Sequence, residues 1–261
     1  MPEVTSHVPG SFCWVELSTN SEKGAIEFYT QLFGWTTNLI DMGEHGNYVM
    51  FQKNGKDVAA AYENKTMPAP PYWASYVSVT SADETAAKAK SLGGTLIAEP
   101  MDIFDSGRMV PLQDPQGAII CAWQPKQHIG VTIRDEDNSL CWNELLTPDA
   151  ASARSFYAQL FEWNVKISTG DMPYTEVTPA AAQQPVGGIF EMTAEMQGIP
   201  PHWAPYFAVA NVDDTVKKLQ SLGGNVQMPA KDIPGVGRIA MVADPQGASF
   251  YVIKLDLSAH G

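Results

Sequence analysis

FCWVELSTNSEKGAIEFYTQLFGW, residues 12–35, returns later in the same chain as LCWNELLTPDAASARSFYAQLFEW, residues 140–163. Of the 24 aligned positions, 12 are identical. Residues 70–124 return in the same way at 200–254, where 22 of 55 positions are identical. Solenoid units run to roughly 20–50 residues, so a repeat of this length indicates two homologous domains rather than a solenoid.

The repeats divide the 261 residues into two domains of ordinary size. We expect a first domain over residues 8–125, a polar linker over 126–139 and a second domain over 140–256. The chain is 44% hydrophobic and 17% charged, which is typical of a soluble globular protein with a substantial core.

The charge of the chain narrows the range of partners. Its net charge of −13 would repel a phosphate backbone, and no cluster of Lys and Arg offsets it, so we expect no nucleic acid. No apolar run reaches the roughly 18–20 residues of a membrane span, and the N-terminus lacks the features of a signal peptide. We expect a cytoplasmic protein with a small-molecule partner. It is either a monomer whose two domains pair or a homodimer.

Hydrophobic periodicity predicts the same order of elements twice in each domain: a strand, a helix and three further strands. In the first unit, a strand over 11–17 precedes a helix over about 21–33, which Gly34 ends. The sequence DPQG, at 114–117 and again at 244–247, predicts a tight hairpin turn with Pro at its second position.

This ordered set of motifs resembles the vicinal-oxygen-chelate superfamily, which includes glyoxalase I, extradiol dioxygenases and bleomycin- and fosfomycin-resistance proteins. The resemblance rests on the helix ends FYTQLFGW and FYAQLFEW, the SLGG helix stops, the GR strands and the DPQGA hairpins, and it covers roughly residues 11–255. The chain is most similar to the tandem-domain glyoxalase-like members of the 27-kDa antigen type. The resemblance implies an α+β fold of two tandem vicinal-oxygen-chelate domains, in which two βαβββ units form each half-open barrel.

The resemblance also implies a metal at the base of each barrel, held by His, Glu or Gln on the first and last strands of each unit. Carried over by spacing, those positions fall at Trp14, near Ala60, near Ala74 and at Cys121, and in the second domain at Trp142, near Gly188, near Ala204 and at Tyr251. Divalent metals bind imidazole and carboxylate groups, and a lone cysteine is not a site. We therefore predict no metal and no cofactor. A divalent metal in an atypical site is the alternative.

Strand alternation predicts which side chains line each cavity. Where Trp14 faces inward, Phe12 and Glu16 share its face. In the second domain, Trp142 and Glu144 point inward. The predicted inward residues of the closing strands are Ile119, Cys121, Trp123, Ser249, Tyr251 and Ile253. The repeated residues Trp73, Trp203, Tyr76 and Tyr206 are interpreted as packing rather than as ligand platforms. Each cavity is then an aromatic pocket with one carboxylate.

Arg108 and Arg238 follow a glycine at the start of a strand in both domains. In one interpretation, Glu16–Arg108 and Glu144–Arg238 are structural ion pairs inside the barrels. In the other, Glu acts as a general base or cation acceptor and Arg binds a carboxylate or phosphate of the ligand. The candidate catalytic residues are Glu16 and Glu144. The candidate ligand-binding residues are Trp14, Glu16, Arg108, Cys121, Trp142, Glu144, Arg238 and Tyr251.

Three functions fit this prediction. The first is binding of a small aromatic or cationic molecule without a metal, supported by charge and cation–π contacts. The second is a glyoxalase-like lyase or isomerase, or a dioxygenase, with an atypical metal site. The third is a scaffold with empty barrels, because fold does not dictate function. Of the three functions, only the second makes the protein an enzyme, a glyoxalase-like lyase or a dioxygenase.

Overall fold

The computed structural model describes residues 3–65, 69–168, 173–196 and 198–256, which form two mixed sheets and four α-helices. The first repeat contains β1 (Phe12–Thr19), α1 (Glu22–Phe33), β2 (Thr36–Asp41), β3 (Asn47–Lys53), β4 (Lys56–Glu63), β5 (Tyr72–Ser78), α2 (Ala82–Ser91), β6 (Thr95–Leu96), β7 (Met101–Ile103), β8 (Gly107–Gln113) and β9 (Ile119–Pro125). The second contains β10 (Ser139–Thr147), α3 (Ala150–Phe161), β11 (Trp163–Ile167), β12 (Tyr174–Pro179), β13 (Gly187–Glu191), β14 (His202–Ala208), α4 (Val212–Ser221), β15 (Asn225–Ile233), β16 (Gly237–Ala243) and β17 (Ser249–Leu255).

Each sheet joins two βαβββ units at their first strands. The first sheet has the order β2-β3-β4-β1-β5-β9-β8-β6, with β7 also paired to β8. The second has the order β11-β12-β13-β10-β14-β17-β16-β15. The central neighbours β1 and β5, like β10 and β14, are antiparallel. This confirms the predicted α+β fold of two tandem vicinal-oxygen-chelate domains.

Local sequence signals position the helices and hairpins. Ser21 caps α1 by accepting a hydrogen bond from the Gly24 amide at 3.1 Å, and Gly34 ends the helix at φ 71°. In the first DPQG hairpin, Asp114 accepts from the amide of Gly117, whose φ of 108° favours glycine. No helix in the described ranges is long and apolar enough to cross a membrane.

The first unit of each repeat packs against the second unit of the other repeat. Tyr29 of α1 donates a hydrogen bond to the Asp244 carboxylate at 3.1 Å, and Trp73 donates to the Tyr29 hydroxyl at 3.1 Å. The equivalent contacts join Tyr157 to Asp114 and Trp203 to Tyr157, both at 3.0 Å. Buried side chains of one domain therefore complete the polar contacts of the other.

Aromatic side chains of both domains share one core around these contacts. The rings of Phe33 and Phe207 lie 5.3 Å apart, and those of Tyr29 and Phe250 lie 5.9 Å apart. All four side chains belong to one buried cluster. The helix-bearing faces of the two sheets are buried in this way, and the concave faces lie on the opposite side.

Candidate functional site

Glu16 lies in the middle of the first concave face. It pairs in register with Ala60 on β4 and with Ala74 on β5, so the three side chains share one face of the sheet. In the second domain, the equivalent partners of Glu144 are Gly188 and Ala204. Each carboxylate is therefore surrounded at its own level by the smallest side chains.

This register changes the predicted level of Trp14 and Trp142. Spacing placed them at the same level as the alanines, but the residues at that level are Glu16 and Glu144. Trp14 is instead opposite Tyr76, and Trp142 is opposite Tyr206. Because the shift is two residues along a strand, the tryptophans still share the carboxylates' face.

Two tyrosines hold the Glu16 carboxylate from opposite sides. Tyr48 Oη donates to Glu16 Oε2 at 2.6 Å, and Tyr76 Oη donates to Glu16 Oε1 at 3.0 Å. Trp14 Nε1 in turn donates to Tyr48 Oη at 3.2 Å. Both carboxylate oxygens accept from phenols in this Trp–Tyr–Glu–Tyr network.

The second domain repeats the network. Trp142 Nε1 donates to Tyr174 Oη at 2.9 Å, and Tyr206 Oη donates to Glu144 Oε1 at 2.9 Å. Tyr174 also forms a hydrogen bond with the Glu144 side chain. The arrangement therefore belongs to the repeated architecture rather than to one domain alone.

The sequence prediction missed half of this network. Tyr48 and Tyr174 lie where the two copies do not align, so the repeat did not reveal them. A Tyr at the start of the third strand of both domains was the available signal. Tyr76 and Tyr206 were interpreted as packing, but their hydroxyls donate to the carboxylates.

Burial raises the pKa of both glutamates, while the tyrosine hydrogen bonds oppose the rise. Lys231 also acts on Glu144, lowering its pKa. In the part of the chain that the structure describes, no basic side chain forms a hydrogen bond or an ion pair with Glu16. The nearby His128 ring, 4.6 Å from the Trp14 ring, has a pKa lowered by its own burial and adds no positive charge at neutral pH. Glu16 is therefore an acid without a countercharge.

The two predicted arginines make ion pairs elsewhere. Arg108 forms a two-pronged pair with Asp83 at 2.8 and 2.9 Å and a further contact with Asp102 at 3.2 Å. In the second domain, Arg238 contacts Asp213 and Asp232 at 2.8 and 3.1 Å. The ion pairs of each arginine join a strand to the first turn of a helix, so they hold α2 or α4 against its sheet.

The predicted ion pairs Glu16–Arg108 and Glu144–Arg238 are therefore wrong. The reason is that side chains alternate between the two faces of the sheet along β8, and Arg108 points to the face opposite Glu16. Arg108 is opposite Gln124 in register, and the next residue, Met109, is opposite Trp123. Trp123 shares the concave face, which leaves the arginine on the helix-bearing face.

The prediction that Phe12 shares the face of Trp14 and Glu16 is also wrong. A β-bulge lies between Phe12 and Trp14, because Phe12 pairs with Val77 whereas Trp14 pairs with Tyr76. The extra residue turns Phe12 to the other face of the sheet. There its ring lies 5.0 Å from the Trp203 ring, in the core between the domains.

On the closing strands, Cys121 and Tyr251 both reach the concave face. Cys121 pairs with Tyr76, and Tyr251 pairs with Tyr206. Burial raises the pKa of the Cys121 thiol to about 12, so it stays protonated. The Tyr251 ring stacks on Tyr206 with a centroid distance of 4.2 Å and an angle of 4°. The concave faces of the two domains therefore share a network but differ in the side chain beside it.

The residues around Glu16 do not fit the metal that the resemblance implies. Its neighbours at the same level are Ala60 and Ala74, which have no donor atoms, and both its oxygens accept from tyrosines. Throughout the described ranges, no group of three or more His, Cys, Asp or Glu side chains could hold a metal ion. No metal-dependent step is therefore derived for this site.

Two curated proteins are similar to this chain over nearly the full length of both sequences. "Putative glyoxylase CFP32" from Mycobacterium tuberculosis (strain CDC 1551 / Oshkosh) is 38% identical over 97% of this chain and 98% of that protein. "Anthracycline biosynthesis protein DauV" from Streptomyces sp. (strain C5) is 32% identical over 97% of this chain and 96% of that protein.

Solved structures share the fold at low sequence identity. The Mn(II)-bound glyoxalase from Novosphingobium aromaticivorans has a TM-score of 0.65 at 15% identity and covers 95% of this chain and 83% of that one. An extradiol ring-cleaving dioxygenase from B. fuscum has a TM-score of 0.66 at 15% identity and covers 98% and 75%. These likenesses extend to the fold alone.

The family model matches both halves of the chain, over residues 12–122 and 139–252. These ranges contain both carboxylates and their tyrosine partners. With full-length relatives at 38% and 32% identity, the chain belongs to the Glyoxalase/Bleomycin resistance protein/Dioxygenase superfamily.

Proposed function

We propose that the first domain binds a small aromatic cation at Glu16 without a metal. The observation that carries this proposal is the missing countercharge of Glu16. A carboxylate removed from water needs a compensating partner, and the two tyrosines supply hydrogen bonds but no positive charge. A cationic ligand would supply that charge.

The walls beside Glu16 support an aromatic ligand. Trp14 and Tyr76 share its face of the sheet, and the Trp123 ring lies 6.4 Å from the Tyr76 ring. Aromatic faces attract cations, and the attraction strengthens where water is excluded. Aromatic walls with a few polar groups are also typical of small-molecule sites.

Polar side chains next to Glu16 on the same face would give a ligand a polar approach. Tyr62 and Tyr72 both pair with Ser18, which stands two residues beyond Glu16 on the same face. Tyr72 is 39% exposed. The net charge of −13 adds a long-range attraction for cations, although salt screens it.

The relatives support a small organic ligand. Two of them are named for anthracycline biosynthesis, which concerns organic molecules rather than macromolecules. The relatives named glyoxylase favour a second candidate, a lyase or dioxygenase. The alanines beside Glu16 count against a metal-dependent form of it, so binding without a metal is preferred.

Isothermal titration with a matched pair of probes tests the proposal. The cation is 1-methylquinolinium, and quinoline is its neutral counterpart near neutral pH. We expect the wild type to bind the cation at least about tenfold more tightly than quinoline. The Glu16→Gln variant should lose this preference, because it keeps the shape of the side chain but not its charge.

Glu27→Gln is the matched control, because it removes the same charge from the exposed surface of α1. It should preserve the preference for the cation. Equal binding of both probes by the wild type, or an unchanged preference in Glu16→Gln, would refute the proposal.

A further inference from the structure

The aromatic side chains beside Glu16 are covered in this structure. Trp14, Tyr76 and Trp123 are only 3%, 5% and 6% exposed. A ligand's ring can therefore contact these side chains only after a residue that covers them has moved.

His128, in the connection between the two domains, covers both tryptophans. Its ring lies 4.6 Å from the Trp14 ring at an angle of 89°, and 6.0 Å from the Trp123 ring at 72°. His128 is half-buried, whereas both tryptophans are buried. The imidazole therefore lies on the tryptophans from the side that is nearer to solvent.

The backbone of His128 is held in place on both sides of the residue. Its amide donates a hydrogen bond to the Ser106 carbonyl at 3.0 Å, and its carbonyl accepts one from Trp123 Nε1 at 2.8 Å. Because the backbone is held in this way, the ring can leave the tryptophans by rotating about its side-chain bonds while the connection itself stays in position.

One nitrogen of the His128 ring is unpaired in the interior. Nε2 is buried and has no hydrogen-bond partner among the residues that the structure describes. A polar atom that is buried without a partner costs free energy, and rotation towards solvent would give Nε2 a partner in water. The aromatic contacts favour the inward position of the ring and the unpaired nitrogen opposes it. The two positions are therefore closer in free energy than those of an apolar ring would be.

We propose that the His128 ring is an autoinhibitory gate of the first-domain site. In the free protein the ring covers the tryptophans, and it rotates towards solvent when an aromatic cation binds. The inference rests on the proposed function and adds its regulation. The ligand's ring then replaces the imidazole on Trp14, and its charge points to Glu16, which lies two residues further along the same face of the strand. The observed affinity includes the free energy of moving the ring.

Isothermal titration with 1-methylquinolinium tests the gate with two variants that act in opposite directions. His128→Ala removes the ring and should bind the cation about tenfold more tightly than the wild type, because no ring has to leave the tryptophans. His128→Phe keeps a ring there but has no nitrogen for water to pair, so it should bind the cation more weakly than the wild type.

Gln127→Ala is the matched control, because it shortens the exposed neighbouring side chain of the same connection. It should leave the affinity unchanged. Equal affinities in the wild type and both His128 variants, or weaker binding by His128→Ala, would overturn the inference.

Nuclear magnetic resonance of the isotope-labelled His128 ring gives a measurement on the wild type alone. Ring currents from Trp14 and Trp123 should shift the imidazole proton signals in the free protein. Saturation with 1-methylquinolinium should move these signals to the position of a solvent-exposed histidine. Signals that keep their shift in the cation-bound protein would overturn the gate and leave the proposed function intact. If neither the wild type nor His128→Ala binds the cation, the proposed function fails, and the gate fails with it.

Discussion

At the scale of single residues, Glu16 combines a half-buried position with two phenol donors and has no basic partner among the described residues. The donors favour the charged form, but burial raises the pKa of the carboxyl above its ordinary value of 4.5. A bound cation would favour the charged form further. Proton release and ligand binding should therefore be coupled at this residue.

We predict that binding of 1-methylquinolinium strengthens as the pH rises, with a midpoint above 4.5, because only ionised Glu16 attracts the cation. The probe has a permanent charge, so the pH dependence belongs to the protein. Titrations across acidic and neutral pH measure the profile. A flat profile in the wild type, or a profile that persists in Glu16→Gln, would contradict the role of this carboxyl.

The sequence could reveal Glu16 and Glu144 because an inward acid at the same strand position in both repeats is visible in the alternation. It could not reveal which tyrosines hold them. Tyr48 reaches Glu16 from a strand 32 residues away, and that contact depends on the sheet order. The same limit applies to Arg108, whose face depends on the register of its strand.

At the scale of elements, predictions based on local contacts succeeded. The end of α1 at Gly34 and the DPQG turns depend on residues adjacent in sequence. The bulge in β1 does not, because it is a mismatch between two strands more than 60 residues apart. Phe12 was therefore assigned to the wrong face, although the strand itself was predicted.

The segment before β1 contains a half-buried histidine, His7, whose proton binding differs between the folded and unfolded chain. The His7 ring forms a 3.0 Å hydrogen bond with the Val131 carbonyl, and burial lowers the pKa of His7 from 6.5 to about 4. Between these values, the unfolded chain binds a proton that the folded chain excludes. This contribution therefore destabilises the fold as the pH falls from 6.5 towards about 4.

We predict that the wild type loses more stability over this interval than His7→Gln, which has no ring to protonate. Urea unfolding at several pH values measures the difference, and comparison with the variant cancels the contributions of the other titrating groups. If the two proteins lose stability in parallel, or the wild type loses less, His7 does not cause the loss of stability at acidic pH.

At the scale of the whole molecule, the halves share a core rather than standing as separate barrels. The repeat predicted two domains, but it could not predict that Tyr29 would donate to Asp244, 215 residues away. Asp244 was expected only to make a turn, and Asp114 likewise. Their second role depends on how the domains meet, which no local pattern specifies.

We predict that Tyr29→Phe lowers the free energy of unfolding by about 1–3 kcal/mol, because it leaves the Trp73 and Asp244 groups without their shared hydroxyl. Tyr157→Phe should cost a similar amount. Because the core is shared, calorimetry should still show one unfolding transition. Two separate transitions, or no loss of stability in either variant, would contradict this description of the interface.

The most direct test of the central claim is a crystal structure of the protein with 1-methylquinolinium. We predict a cation bound in the first domain, with its positive charge beside the Glu16 carboxylate. A cation bound away from Glu16, or a metal ion held at either carboxylate, would contradict it.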